Sequence, residues 1–146
     1  MKAKDLMIGD WVQGYTPDTY SWIYGIFNEE RIAIIASGTA TYIELSIEDI
    51  QPIPLTPEIL EKNGFKFDGS GQRSMMLMTP WEEQGIRYNI YVGLKKKTIE
   101  VFAAHPEIRV YNWRKINKVY LEVCGCCVHE LQHALRLCGI DKEIVL

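Results

Sequence analysis

Two histidines and a glutamate near the end of the chain have the spacing of a zinc-peptidase helix. The stretch reads CGCCVHELQHALRLCG (residues 124–139), and His129, Glu130 and His133 spell HExxH within it. Positions i and i+4 of a helix share a face, so the two imidazoles can bind one ion. Glu130 would then act as the general base toward a metal-bound water. The motif raises the hypothesis of a metal-dependent hydrolase with zinc as its cofactor.

A catalytic zinc site also needs a third protein ligand, and the sequence offers no well-placed one. Asp141 is the best downstream candidate and His105 is the only other histidine. Arg136 occupies the glycine position of the extended HExxHxxGxxH motif and would bring a cation close to the metal. The sequence therefore favours a helix without metal, and the hydrolase is the alternative.

The cysteines indicate a reducing compartment. Cys124, Cys126 and Cys127 lie side by side and Cys138 follows on the same helical pattern, whereas a disulfide scaffold spreads its cysteines along the chain. Buried thiols are favoured over a structural zinc site formed with a neighbouring histidine. The start of the chain, MKAKDLMIGDWV, lacks the apolar run of a secretory signal, so we expect a cytoplasmic protein.

Charge is unevenly distributed along the chain. Residues 1–68 carry five basic and eleven acidic side chains, whereas residues 69–146 carry eleven basic and eight acidic ones. The acidic first half and the overall charge of −3 argue against general nucleic-acid binding. The basic side chains of the second half permit a local patch for an acidic partner.

One segment interleaves aromatic and basic side chains. YNWRKINKVY (residues 111–120) contains Trp113, Arg114, Lys115 and Lys118, which together resemble a surface that stacks bases and binds phosphates. A half-buried strand whose lysines remain in solvent explains the same pattern and is favoured. A protein partner is therefore expected ahead of nucleic acid.

Aromatic residues of the first half allow two interpretations. These residues can line an exposed binding surface, or they can fill the core of a small barrel, which is the more common arrangement. They are Trp11, Tyr15, Tyr20, Trp22 and Tyr24.

The first half of the chain has the pattern of a small antiparallel barrel. Four segments rich in Ile, Tyr, Trp, Thr and Val are separated by turn signals, and a helical turn at 47–50 precedes a last strand at 52–55. Pro52 and Pro54 place that last strand at an edge. The four segments are 11–15, 20–28, 31–37 and 40–45.

The second half predicts helices around a β-meander. Thr56 and Pro57 predict the start of a linking helix, and Gly64 predicts its end. Strands are expected at 75–79, 86–94, 98–104 and 142–146, and a helix at 126–137. The predicted fold class is α+β: an SH3-like β-barrel (1–55), then the linking helix and a meander packed by one helix (56–146).

Three stretches resemble an uncharacterised family of small proteins from genomes, prophages and mobile elements of anaerobic gut bacteria. They are LMIGDWV, IQPIPLTPEILEKNGF and VHELQHALRLCGIDKEIVL. Relatives commonly spell the last helix VHQLQN, so the resemblance implies that Glu130 and His133 are local variation and that HExxH is coincidental. We therefore expect a non-catalytic accessory or binding protein of a phage or mobile element.

Overall fold

The chain has an α+β fold, as the sequence predicts. The computed structural model describes residues 2–14, 16, 19–67, 69, 74–78, 87–104, 118–121, 127–137, 139–140 and 142–146. The described residues form two antiparallel sheets and two α-helices. None of the helices among them is long and apolar enough to cross a membrane.

The chain divides into two compact units. The first comprises Met1–Pro54 and Cys127–His133, and the second comprises Leu55–Cys126 and Ala134–Leu146. Residues 127–133 thus return to the first unit after the chain has passed through most of the second. The division into a barrel-like region (1–55) and an α+β region (56–146) stays a prediction.

The first unit is built on a five-stranded sheet with strand order β4-β3-β2-β1-β5. A short 3-10 helix, Ile47–Asp49, connects β4 to β5, and β5 pairs with β1. The predicted barrel does not close in the described part of the chain, because β4 and β5 remain the two edges of the sheet. The strands are β1 (Trp11–Gln13), β2 (Tyr20–Ile26), β3 (Arg31–Ala36), β4 (Tyr42–Ser46) and β5 (Gln51–Pro52).

The core of the first unit is aliphatic. Residues directly opposite each other in an antiparallel pair share a face, so Ile23 and Ile34 lie on one face of the sheet, where both are buried. The core contains no aromatic side chain among the described residues. Its buried members are Leu6, Val12, Ile23, Ile32, Ile34, Ile47 and Ile50.

The linking helix of the second unit is α1 (Pro57–Lys62). Thr56 is its N-cap as predicted, since its hydroxyl accepts a hydrogen bond from Ile59 N. Gly64, with φ of 83°, follows the helix in the left-handed region that favours glycine. The sequence signals therefore set both ends of α1.

The second sheet has the order β10-β9-β8-β7-β6. β8 and β9 form a hairpin through Lys95–Lys97, and Lys97 adopts a positive φ of 53° there. The pattern of residues 116–123 allows either a strand or the start of a helix, and the structure has a strand there, β10. The strands are β6 (Lys66–Phe67), β7 (Ser74–Met78), β8 (Arg87–Gly93), β9 (Thr98–Ala104) and β10 (Lys118–Leu121).

The predicted strand at 142–146 is wrong. The segment is irregular, and Asn63 holds it: the Asn63 amide accepts from Val145 N and donates to Val145 O. Ile144 is buried beside this contact. A side chain therefore satisfies the backbone groups that a neighbouring strand would otherwise have bonded. The last helix, α2 (Val128–Leu137), is present as predicted.

Candidate functional site

A tight turn before β1 positions a buried carboxylate. Asp10 N donates to Met7 O, and Met7 N donates to Asp10 Oδ2 at 2.7 Å. Gly9, with φ of 86°, gives the turn a conformation that other residues rarely adopt. The Asp10 side chain is fully buried. The turn therefore directs a carboxylate into the first unit.

Asp10 contacts the second histidine of the HExxH motif. His133 Nε2 donates to Asp10 Oδ2 at 2.7 Å, across 123 positions of sequence. The histidine side chain is 18% exposed. A buried carboxylate must be hydrogen-bonded, and both this contact and the Met7 N–H bond Asp10 Oδ2.

Gln132, which lies between the two histidines of the motif, adds a second attachment to the turn that contains Asp10. The Gln132 amide oxygen accepts from Trp11 N at 2.9 Å, and its amide nitrogen donates to Gly9 O at 3.1 Å. Gln132 is buried, so both groups would be costly to leave without partners. Neighbouring residues of α2 therefore hold both sides of the Gly9–Asp10 turn.

Glu130 has a structural partner at the start of α2. Its carboxylate accepts a hydrogen bond from Cys127 N at 2.8 Å, while Cys127 O accepts from Leu131 N. A glutamate at the third helical position that reaches back to the N-cap N–H is half of a capping box. Burial raises the pKa of Glu130 above 4.5, and the Cys127 N–H opposes this increase.

His129 is almost completely buried, with 5% of its surface exposed. Its Nδ1 atom has no hydrogen-bond partner among the described residues. Burial lowers the pKa of His129 below 6.5, and the nearby Asp10 carboxylate only partly offsets this. The ring is thus held neutral, edge-on to His133 with centroids 5.9 Å apart.

The contacts of the HExxH residues differ from those that a zinc ion requires. His133 Nε2 bonds directly to Asp10, at a distance too short to accommodate an ion between the two atoms. In the described residues, no group of three or more His, Cys, Asp or Glu side chains is placed to hold a metal. Each polar side chain of the motif except His129 makes a hydrogen bond within the chain that gives it a structural role.

Several predicted site residues lie outside the described part of the chain. These include both candidates for a third zinc ligand and three members of the aromatic-basic segment; for the fourth member, Lys118, the structure describes only the backbone in β10. Cys127 forms no disulfide within the described residues, and the other cysteines lie outside them. The undescribed candidates are His105, Asp141, Trp113, Arg114 and Lys115.

Aromatic side chains lie on the outer face of the first sheet, opposite its core. Trp11 pairs with Trp22, Trp22 with Ile35, and Ile35 with Tyr42, so one row crosses four strands on the same face. The indoles of Trp11 and Trp22 meet edge to face at 5.3 Å. The described aromatics of β1, β2 and β4 therefore lie on this outer face, whereas the sequence had favoured a core; Tyr15 lies outside the described residues.

This outer face ends in exposed tyrosines. The rings of Tyr24 and Tyr42 stack with centroids 5.7 Å apart, and each residue is 56% exposed. Tyr20, two positions before Trp22 on β2, lies on the same face and is exposed too. We call Trp11, Tyr20, Trp22, Tyr24 and Tyr42 the aromatic face.

The first unit that carries the aromatic face is strongly acidic. Its two segments, 1–54 and 127–133, contain three basic and nine acidic side chains, a net charge of −6. One ion pair, Arg31 with Glu44 at 2.9 Å, lies in the open on this unit. The unit therefore presents aromatic rings in a negative electrostatic field.

Sequence reasoning missed Asp10 and Gln132. Both belong to stretches, LMIGDWV and VHELQHALRLCG, that the sequence marks as distinctive, but neither has the spacing of a metal or catalytic motif. The available signal was the Ile8-Gly9-Asp10 turn, since a glycine followed by a carboxylate before a strand indicates a special turn. Comparisons with family models, with curated proteins and with solved structures found no match.

Proposed function

We propose that this chain is a non-catalytic binding protein whose aromatic face receives a basic segment of a partner protein. The observation that carries the proposal is the row of aromatic side chains on the outer face of the first sheet, which is half-buried at Trp11 and Trp22 and ends in the exposed Tyr42. Tyrosine and tryptophan are enriched in protein interfaces because they offer large contact areas at a small entropic cost. The charge of −6 on the unit favours a partner with lysines and arginines.

The topology of the first unit supports an SH3-like form. Four strands form a meander, a 3-10 helix follows, and the short fifth strand returns to pair with β1. Small modules of this type commonly act in recognition, although a fold alone does not specify a function. The partner class therefore rests on the aromatic face and its charge.

The resemblance to small proteins of prophages and mobile elements leads us to propose an accessory role in such an element. We propose a cytoplasmic location, which the crowded cysteines also favour. The metal-dependent hydrolase using His129, Glu130 and His133 gains no support from the contacts described above.

A random-peptide display library selected against the immobilised protein tests the proposal. Enriched peptides should be basic and should bind at least about tenfold more weakly to the Tyr20→Ser/Tyr24→Ser double variant. Both tyrosines are exposed, so the double variant should fold and its melting temperature should verify this.

Phe67→Ser is the matched control, because Phe67 is as exposed as Tyr24 but belongs to the second unit. This variant should bind the enriched peptides as the unchanged protein does. If no peptide is enriched, or if the enriched peptides ignore the loss of both tyrosines, the proposed function is wrong.

A further inference from the structure

The two edges of the first sheet differ in their capacity to accept another strand. β5 has only two residues, and one is Pro52, which cannot donate a hydrogen bond. β4, with the sequence YIELS, has five residues and contains neither proline nor lysine, the residues that usually protect an edge. Within the described residues, β3 is the only strand that pairs with β4. β4 is therefore the open edge.

The hydrogen-bond register shows which backbone groups of β4 face outward. Just beyond β4, Ile47 N donates to Glu30 O at 2.8 Å. Hydrogen-bonded pairs alternate along an antiparallel ladder, so Ile43 and Leu45 bond to β3. The N–H and C=O groups of Tyr42 and Glu44 consequently point away from the sheet, where a further strand would bond them.

Two side chains of β4 that continue the rows of the sheet are left exposed at this edge. Ile23, Ile34 and Ile43 lie opposite one another in one row on the core face. Ile23 and Ile34 are buried, but Ile43 is 54% exposed. On the other face, Tyr42 ends the aromatic row and is 56% exposed. An added strand would cover an isoleucine on one face and a tyrosine on the other.

The charges at the end of β4 indicate which side chains an added strand would carry. Exposed carboxylates surround this end, and Arg31 is the one basic side chain among them in the described part of the first sheet. A second copy of the chain would bring the same net charge of −6 with its own first unit, so repulsion disfavours it. The carboxylates belong to Glu29, Glu30, Glu44, Glu48 and Asp49.

We infer that a basic, extended segment of a partner protein adds to the edge of β4 as a further strand. Its backbone bonds the outward groups of Tyr42 and Glu44, its alternate apolar side chains cover Ile43, and its lysines or arginines lie near the carboxylates. This inference rests on the proposed function and specifies how the partner is held next to the aromatic face.

The test uses the full chain and a synthetic peptide of about ten residues that alternates valine and lysine. Amide hydrogen exchange is measured by NMR with and without the peptide. The amides of Tyr42 and Glu44 should exchange at least about tenfold more slowly in its presence. A peptide that alternates valine and glutamate should leave both rates unchanged, because the carboxylates repel it.

Glu44→Pro provides the matching variant. Residue 44 bonds no strand through its N–H, so proline there spares the β3–β4 ladder but blocks the added strand. Peptide affinity should fall at least about tenfold, whereas Glu44→Gln, which keeps the N–H but loses the Arg31 ion pair, should largely retain it. Ile43→Lys, a charge on the partly exposed edge residue, should weaken binding similarly if the proline variant does not fold.

Three results would overturn the inference. The peptide could leave the Tyr42 and Glu44 amides unprotected, Glu44→Pro could bind as the unchanged chain does, or the free protein could be a dimer that already protects these amides. If display-selected peptides need Tyr20 and Tyr24 but do not protect β4, the proposed function stands and the strand addition fails. If they need neither, both fail.

Discussion

Asp10 and His133 are separated by 123 positions of sequence and joined by a hydrogen bond of 2.7 Å. The aspartate is fully buried and the histidine is largely buried. The second histidine of an apparent catalytic motif is thus an attachment point between the last helix and the turn that precedes the first strand. Polar residues in a motif can satisfy buried structural groups as readily as they bind a metal.

Asp10→Ala should destabilise the protein by about 2–4 kcal/mol, because it leaves the His133 ring and the Met7 N–H without their buried acceptor. Asp10→Asn should cost less, since an amide oxygen in the place of Oδ2 can still accept from both Met7 N and His133 Nε2. Urea denaturation monitored by tryptophan fluorescence measures both values. Equal stabilities for the alanine variant and the unchanged protein would show that the contact does not contribute.

His129→Leu should reduce the loss of stability in acid. The pKa of His129 is lowered by burial, so the unfolded chain takes up a proton as the pH falls below 6.5 while the folded chain does not. The stability that the neutral ring contributes is therefore fully present above pH 6.5. It is lost as the pH falls toward the pKa of His129 in the folded chain. The free energy of unfolding between pH 7 and pH 5 should decline less steeply in the variant than in the unchanged chain.

Glu130→Gln serves as the opposite case in the same experiment. The pKa of Glu130 is raised, so the stability that its protonated form contributes is present below pH 4.5. This stability is lost as the pH rises through the pKa of Glu130 in the folded chain. Glutamine can still accept from Cys127 N and does not titrate. Relative to the unchanged chain, this variant should therefore gain stability as the pH rises from 4 to 7. The same trend in both variants would contradict the assigned pKa directions.

Zinc should not stabilise the protein through the HExxH residues. Binding at His133 Nε2 would have to break the bond to the buried Asp10 carboxylate. Elemental mass spectrometry on protein purified without chelators or a histidine tag, together with melting curves with and without added zinc, measures this. One equivalent of zinc that is lost in His133→Ala would contradict the structural interpretation and revive the hydrolase.

Local signals in the sequence predicted much of the fold. Thr56, Pro57 and Gly64 predicted both ends of α1, and the β-branched runs predicted most strands, because caps and turns act over a few residues. The strand predicted at 142–146 failed because its backbone groups bond the side chain of Asn63, 82 positions away. Such a partner leaves no local trace in the sequence.

The candidate site was harder to predict for the same reason. The HExxH spelling identified His129, Glu130 and His133 but said nothing about Asp10, whose importance comes from a contact distant in sequence. The aromatic residues were recognised but assigned to the core by preference. Which face of a strand is buried depends on the register with its neighbours. Here the aliphatic side chains lie on the core face, and the stacked Tyr24 and Tyr42 lie on the exposed face.

The return of residues 127–133 to the first unit has a consequence for synthesis on the ribosome. The sheet of this unit is complete once Pro52 has been made, but the Asp10 carboxylate and the Trp11 N–H have no helix partner until Gln132 and His133 emerge. The nascent chain therefore passes through a stage in which the sheet can form but the Gly9–Asp10 turn lacks the helix that attaches to it. Contacts of such long sequence separation form late, so the amino-terminal unit is the first to be started and among the last to be finished.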